Sequence, residues 1–235
     1  MPMYHQTFRA IFISDIHLGS KYTNLERLFT FIKRVKTKKI FLVGDIISRD
    51  CKRDDKNLEK FIKLLKSKNC EIIFILGNHE EQIENMPPIL DELNFHKSYK
   101  YRIGKRDALI NHGHSYDTKD AFLRALKGIA KKTQVLKKDN PTKATLKRRL
   151  HLFLKEIAKV LLHKQFIRYM ALKAKKNRCS IVICGHFHIA EHKRVYKVDY
   201  YNCGDWISNC SFVGEDLDSN LKLYRVDSTS IKTIK

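Results

Sequence analysis

The sequence predicts an α/β fold: a largely parallel sheet with helices between its strands, then a second, more antiparallel sheet, interrupted by a basic helical insertion. Three observations predict it. Five short apolar runs rich in isoleucine, valine and phenylalanine have the unbroken hydrophobic character of strands buried on both faces. Segments with apolar residues at helical spacing separate the first three runs. All five runs stop at Gly, Asp, Asn, Ser or His, which places oxygen and nitrogen donors at strand carboxyl ends, the edge where open α/β sheets bind ligands.

The first strand, Phe8 to Ile13, leads through Ser14-Asp15-Ile16-His17 to a helix from about Asn24 to Lys36, where Leu25, Leu28, Phe29, Ile32 and Val35 fall on one face. Ile40 to Val43 is the second strand and ends in Gly44-Asp45; a second helix carries Leu58, Phe61, Ile62, Leu64 and Leu65. Ile72 to Leu76 then runs into Gly77-Asn78-His79-Glu80, completing a parallel βαβ progression. Met86-Pro87-Pro88 sets up a short helix through Leu90 and Leu93, since proline suits a first helical turn. Tyr99 to Ile103 alternates, Gly104 to Asp107 turns the chain, and Ala108 to Ile110 leads to Asn111-His112-Gly113-His114, a hairpin that opens the second sheet.

From 117 to 178 the pattern is helical and basic, broken at Asp139-Asn140-Pro141. Leu146, Leu150, Phe153, Ile157, Val160, Leu161, Phe166, Ile167 and Met170 form its apolar stripe. Ile181 to Cys184 follows as a buried strand ending in Gly185-His186-Phe187-His188. His192 to Tyr201, Ser211 to Val213 and Leu221 to Val226 are strand-like, with Gly214 to Asp218 as a turn and Ser230 to Lys235 as an edge strand. The organisation expected is one domain over 1–235 with an inserted helical cap at 117–178.

A chain of 235 residues with 43% hydrophobic content can bury a full core, which excludes general disorder. No apolar run reaches bilayer-spanning length, and Met1 to Gln6 lacks the apolar region of a signal peptide, so a soluble, cytoplasmic protein is expected. The six cysteines show no C-x-x-C spacing and read as reduced thiols, not a zinc knuckle. The net charge of +22 is concentrated: residues 119–178 carry 19 Lys and Arg against Asp120, Asp139 and Glu156. That stretch should face an anionic partner.

Asp15, His17, Asp45, Asn78, His112, His186 and His188, with His79 beside them, are the candidate ligands. His186 and His188 are two apart on an extended chain and so point the same way. Each residue alone is most simply a polar group finishing a strand; five such endings together point to a site. Seven mixed donors exceed the needs of one ion, and two ions sharing a bridging carboxylate would use them all. Imidazole with carboxylate and amide oxygen suits Mn, Fe, Zn or Co. Two ions about 3.5 to 4 Å apart lower the pKa of a shared water and clamp both oxygens of an in-line displacement at phosphorus.

The ordered set D-x-H, G-D, G-N-H-E, H-G and G-H-x-H resembles the signature of the calcineurin-like metallophosphoesterases over nearly the whole length. The resemblance implies a four-layer α/β/β/α metallophosphoesterase sandwich. It also implies one metal on Asp15, His17, Asp45 and His188, another on Asp45, Asn78, His112 and His186 with Asp45 bridging, and His79 near the leaving oxygen. Asp45, Asn78 and His79 are thereby the expected catalytic residues.

H-G-x-x-x-D, a long helical insert, then G-H-x-H and N-C-G-D-W look like the branch of UDP-2,3-diacylglucosamine pyrophosphatases of lipid A synthesis. That resemblance implies cleavage of the diphosphate to UMP and 2,3-diacylglucosamine 1-phosphate by a metal-bridging hydroxide, with manganese the usual metal. The chain departs from the branch at His79, where studied members carry arginine, and at His114, where the usual motif has aspartate. His114 is a substrate contact, a spare ligand or neither. Lys and Arg of the insert, Arg124 and Lys127 among them, would meet the diphosphate. An amphipathic lysine-rich insert can also rest on an anionic membrane surface, gaining roughly 1 kcal/mol per basic residue, which places the protein on the inner face of the membrane. The alternatives are a nucleic-acid or nucleotide phosphodiesterase and a metal-binding scaffold for an acidic partner.

Overall fold

The computed structural model describes residues 6–52, 54–83, 88–90, 93–116, 160–228 and 230–234. The chain divides into two compact units, Met1–His114 with Met170–Lys235, and Ser115–Tyr169.

In the larger unit β1 (Thr7–Ile13), β2 (Lys36–Val43) and β3 (Glu71–Ile75) lie side by side and parallel. The helices between them are α1 (Leu25–Arg34) and α2 (Lys56–Lys66). Each starts where a side chain can take an orphan amide: Asn24 accepts from Arg27 N, and Asp55 from Asn57 N and Leu58 N. Their apolar stripes face the sheet, and Leu28, Phe31, Ile32, Leu58, Phe61 and Ile62 join Ile11, Ile13, Ile40, Leu42 and Phe74 in one core. Burying each such side chain is worth roughly 1.5–3 kcal/mol.

A short β4 (Phe95–His96) extends this sheet beyond β3. On its other side stand β10 (Ser211–Glu215), β11 (Leu221–Val226) and β12 (Ile231–Thr233), giving the order β12-β11-β10-β1-β2-β3-β4 among the described residues. The second sheet holds β5 (Tyr99–Ile103), β6 (Arg106–Ile110), β7 (Ile181–Cys184), β8 (Glu191–Val195) and β9 (Val198–Asn202) in the order β5-β6-β7-β9-β8. Between the sheets lies a second core, with Phe12, Phe41, Ile73 and Ile75 from one side and Ile110, Ile181, Ile183 and Tyr201 from the other. Phe12 and Phe41, partners in register, stack at 4.7 Å. Within this unit Lys173, in the helical residues 170–176, donates through Nζ to Asn111 Oδ1 at 3.0 Å, and Met170, Ala171 and Ala174 are buried. This is the mixed two-sheet α/β architecture expected.

Several local expectations need correction. The first helix ends at Arg34 rather than Lys36, because Val35 is extended (φ −63°, ψ 132°), and β2 starts at Lys36 rather than Ile40. Past Pro88 a 3-10 turn, Pro88–Leu90, stands where a helix through Leu93 was expected; 91 and 92 lie outside the described residues. The stretch from His192 to Tyr201 is a hairpin, turned at Tyr196 and Lys197, both at positive φ, as a two-residue reversal requires. Gly214 belongs to β10 rather than to the turn. A Cβ there would stand 2.6 Å from the Phe8 ring, so its glycine serves close packing.

In the smaller unit the described residues show Tyr116 with its ring 5.7 Å from Phe166 and its hydroxyl donating to Gln165 Oε1 at 3.2 Å. The centre of the expected cap, with the Asp139-Asn140-Pro141 break, Arg124 and Lys127, lies outside the described residues. Among the described residues no helix is long and apolar enough to cross a membrane.

Candidate metal centre

The loops after β1 and β2 are zipped together by their backbones. Asp15 N donates to Gly44 O at 3.0 Å, His17 N to Asp45 O at 3.0 Å and Leu18 N to Ile46 O at 2.8 Å. Asp15, His17 and Asp45 carry φ values of 51°, 54° and 51°, and across the second sheet His186 and His188 carry 72° and 58°. Left-handed backbone at non-glycine residues costs about 1–3 kcal/mol each and gathers at functional sites. Five of the seven candidate ligands are held this way.

The seven residues, with His79, come from five strand ends. His112 donates from Nδ1 to Val43 O at 2.8 Å, which fixes the tautomer and leaves Nε2 3.4 Å from Asp45 Oδ2. Gly44 permits this approach: a Cβ there would stand 2.5 Å from the His112 ring. Asp15 accepts the backbone N–H of His186 at 3.0 Å, and Gly185 leaves room for it, since a Cβ would stand 2.3 Å from Asp15 Oδ2. His188 Nε2 is 3.2 Å from Asp15 Oδ1 and 3.4 Å from His17 Nε2. Asp45 Oδ1 accepts from His79 N at 2.9 Å, and His79 Nδ1 accepts from Arg49 N at 3.3 Å.

Three sets of donor atoms lie mutually within 4.8 Å: Asp15 with His17 and His188, Asp45 with His112 and His186, and Asp45 with His17 and His79. Lone pairs this close repel unless a proton or a metal cation lies between them. Asn78 Oδ1 is buried without a hydrogen-bond partner among the described residues, a costly state that a metal relieves. The donor set therefore fits divalent ions.

Charge in the site follows from burial and the two aspartates. Burial pushes the His17 and His186 imidazoles down to about 4, so both are neutral donors at physiological pH. Burial acts the same way on His112, but Asp15 and Asp45 overcome it and lift that ring to about 9. Burial pushes the Asp15 carboxyl up. It would do the same to Asp45, but the His112 hydrogen bond and charge, with the His79 N–H, hold that carboxyl below its usual range.

His114 lies beside this centre, its ring 5.6 Å from His112, and pairs through Nε2 with Glu81 Oε2 at 3.1 Å. Sequence reasoning missed Glu81. It missed Glu80 too, whose carboxylate accepts from Asp45 N, Gly77 N and Ile47 N, each at 2.9 Å. The only signal was an acid following the G-N-H triplet. Burial pushes the Glu80 carboxyl up, and the N–H donors pull it back.

The model of the family described as calcineurin-like phosphoesterase matches residues 8–190. The chain belongs to that family. As a calcineurin-like phosphoesterase it is a metal-dependent hydrolase with divalent ions as cofactors, consistent with the donor groups above. No curated protein matches the chain. Among solved structures it is similar to a single mutant of Vps29 from Entamoeba histolytica, at 14% identity over 96% of each chain and a TM-score of 0.55. Vps29 from Chaetomium thermophilum is similar at 10% identity over 96% of this chain and 94% of that one, with a TM-score of 0.55. YfcE, a phosphoesterase from E. coli, is similar at 14% identity over 96% and 97%, with a TM-score of 0.52. At these identities the likeness carries the fold alone.

Proposed function

We propose that this calcineurin-like phosphoesterase hydrolyses its phosphorus substrate with two divalent ions, manganese first among them, held on Asp15, His17, Asp45 and His188 and on Asp45, Asn78, His112 and His186. The observation that carries this reading is the pair of donor triads, Asp15-His17-His188 and Asp45-His112-His186, each with its donor atoms mutually within 4.8 Å. Bound there, two ions supply a hydroxide nucleophile at neutral pH and neutralise charge on the phosphoryl oxygens. Asp45 would serve both ions in this assignment. His79 carries its ring proton on Nε2, because Nδ1 accepts from Arg49 N, and so can donate to the leaving oxygen. His114 is assigned here as a substrate contact, its support being the 3.1 Å pairing with Glu81 beside the donor groups.

For the substrate, the reading is the diphosphate of a nucleotide-linked glycolipid, UDP-2,3-diacylglucosamine, at an anionic membrane surface. Its support is the sequence pattern: His112-Gly113 followed by Asp117, Asn202-Cys203-Gly204-Asp205-Trp206, and the basic stretch 119–178 that holds Arg124 and Lys127. Purified protein with Mn should hydrolyse bis-p-nitrophenyl phosphate; no turnover with any divalent metal eliminates the hydrolase reading. Release of UMP from the lipid-linked nucleotide, with RNA and DNA left intact, is the expected result. Cleavage of nucleic acid alone overturns the lipid substrate and keeps the chemistry.

A further inference from the structure

The candidate ligands leave one buried acid beside them unexplained. Glu80 opens the 3-10 turn Glu80–Gln82 after β3 and is 2% exposed. Its Oε2 accepts from Gly77 N and Asp45 N and its Oε1 from Ile47 N, all at 2.9 Å. The donors belong to two loops, one after β3 and the other after β2. In the β2 loop Gly44 (φ 79°) and Asp45 (φ 51°) are both left-handed, and the amides of Asp45 and Ile47 turn toward one point. Amides converging in this way form a concavity for an anion. Here the anion is a side chain of the same polypeptide.

We propose that Glu80 is a positioning residue for Asp45, fixing its left-handed backbone so that the carboxylate meets the metal centre. The proposal rests on the metal-binding reading above. Asp45 Oδ1 accepts from His79 N at 2.9 Å and Oδ2 lies 3.4 Å from His112 Nε2. Both contacts depend on the backbone conformation that Glu80 holds. Gly77 is part of the same device: a Cβ there would stand 2.2 Å from Asp45 Oδ1 and 2.9 Å from Glu80 Oε2, so the two acids close only over glycine. The plainer alternative is that Glu80 only ties two loops together. That role would lower stability and leave metal affinity unchanged, whereas a positioning role lowers affinity in the folded protein.

The test is calorimetric titration of Mn into the metal-free full chain, for wild type, Glu80→Gln and Glu80→Asp. The glutamine amide presents a donor to a backbone N–H and cannot complete the three bonds. Glu80→Gln should weaken Mn binding by roughly 10- to 100-fold, the usual effect of removing a group that orients a ligand. Glu80→Asp should recover part of the loss. Hydrogen exchange at the Asp45, Ile47 and Gly77 amides should speed up in both variants. Tyr101→Phe, which alters a hydrogen bond between the sheets, is the stability control: its melting temperature should fall while Mn binding holds. A Glu80→Gln protein that folds and binds Mn within about threefold of wild type overturns the proposal. If Glu80→Gln does not fold, Glu80→Asp decides by the same threshold. A wild-type chain that takes up neither Mn, Zn nor Co overturns the metal reading along with it, whereas equal binding by wild type and variant overturns the Glu80 role alone.

Discussion

Asp205 Oδ2 stands 3.3 Å from His188 Nδ1, while its Oδ1 accepts the backbone N–H groups of Ile207, Ser208 and Asn209 at 3.1, 2.7 and 2.8 Å. The carboxylate is anchored on one oxygen and orients an imidazole with the other. His188 therefore carries its proton on Nδ1 and turns the Nε2 lone pair toward Asp15 and His17. Asp205→Asn should weaken metal binding by about 10- to 100-fold. Titration of the metal-free variant checks this, and an unchanged affinity removes Asp205 from the support of the site.

His79 separates two readings of its ring. As a proton donor it acts on the leaving group; as a third member of the set with His17 and Asp45 it would bind metal. In the first case His79→Ala keeps its metal and loses about 10²- to 10⁴-fold in rate on an alkyl phosphodiester, whose leaving oxygen needs a proton. The loss on bis-p-nitrophenyl phosphate should be much smaller, since nitrophenolate leaves unaided. Rates on both substrates beside metal content check it, and metal loss equal to that of Asp45→Ala makes His79 a ligand.

The donors at the strand ends were legible because five apolar runs each stop at a polar residue, so the Asp and His that follow them stand apart from the strands. Hence Asp15, Asp45, His112 and His186 stand out in the sequence. β4 was not legible: Phe95-His96 is too short to show a period. The β8–β9 reversal was hidden because Tyr196 and Lys197, not Asn-Gly, adopt the left-handed turn. Gly214 misled because a glycine chosen to clear Phe8 looks in sequence like a glycine chosen to turn. Glu80 stood in the G-N-H-E motif, but its role did not show, for a different reason. Its three donors are backbone amides, and backbone geometry leaves no letter in the sequence.

Gly44→Ala tests whether the His112 ring and the β2 loop share one space. The new Cβ would stand 2.5 Å from the ring, in a backbone region (φ 79°) that side chains resist. His112 must then move off Val43 O, and a loss of about 1–3 kcal/mol is expected from the conformation and that bond. Denaturant unfolding measures it, and metal affinity should fall in parallel. Wild-type values in both would show that the loop yields freely.

Tyr101 donates its hydroxyl to Glu215 Oε2 at 2.8 Å across the gap between the sheets, and Glu215 is 1% exposed. Burial pushes the Glu215 carboxyl above its ordinary value of 4.5, while the Tyr101 hydroxyl and Arg9 oppose that rise. A raised carboxyl holds its proton more tightly folded than unfolded. Its contribution therefore favours the fold below pH 4.5 and declines as pH rises through the folded value. Tyr101→Phe removes a donor that favours the charged form, so the folded value rises further and the ionised acid loses a partner. The cost should reach about 1–3 kcal/mol above the folded pKa and shrink toward pH 4.5 and below. Melting temperatures of the two proteins across that range check it: a gap that widens with pH is expected, and a constant gap would assign the loss to packing instead.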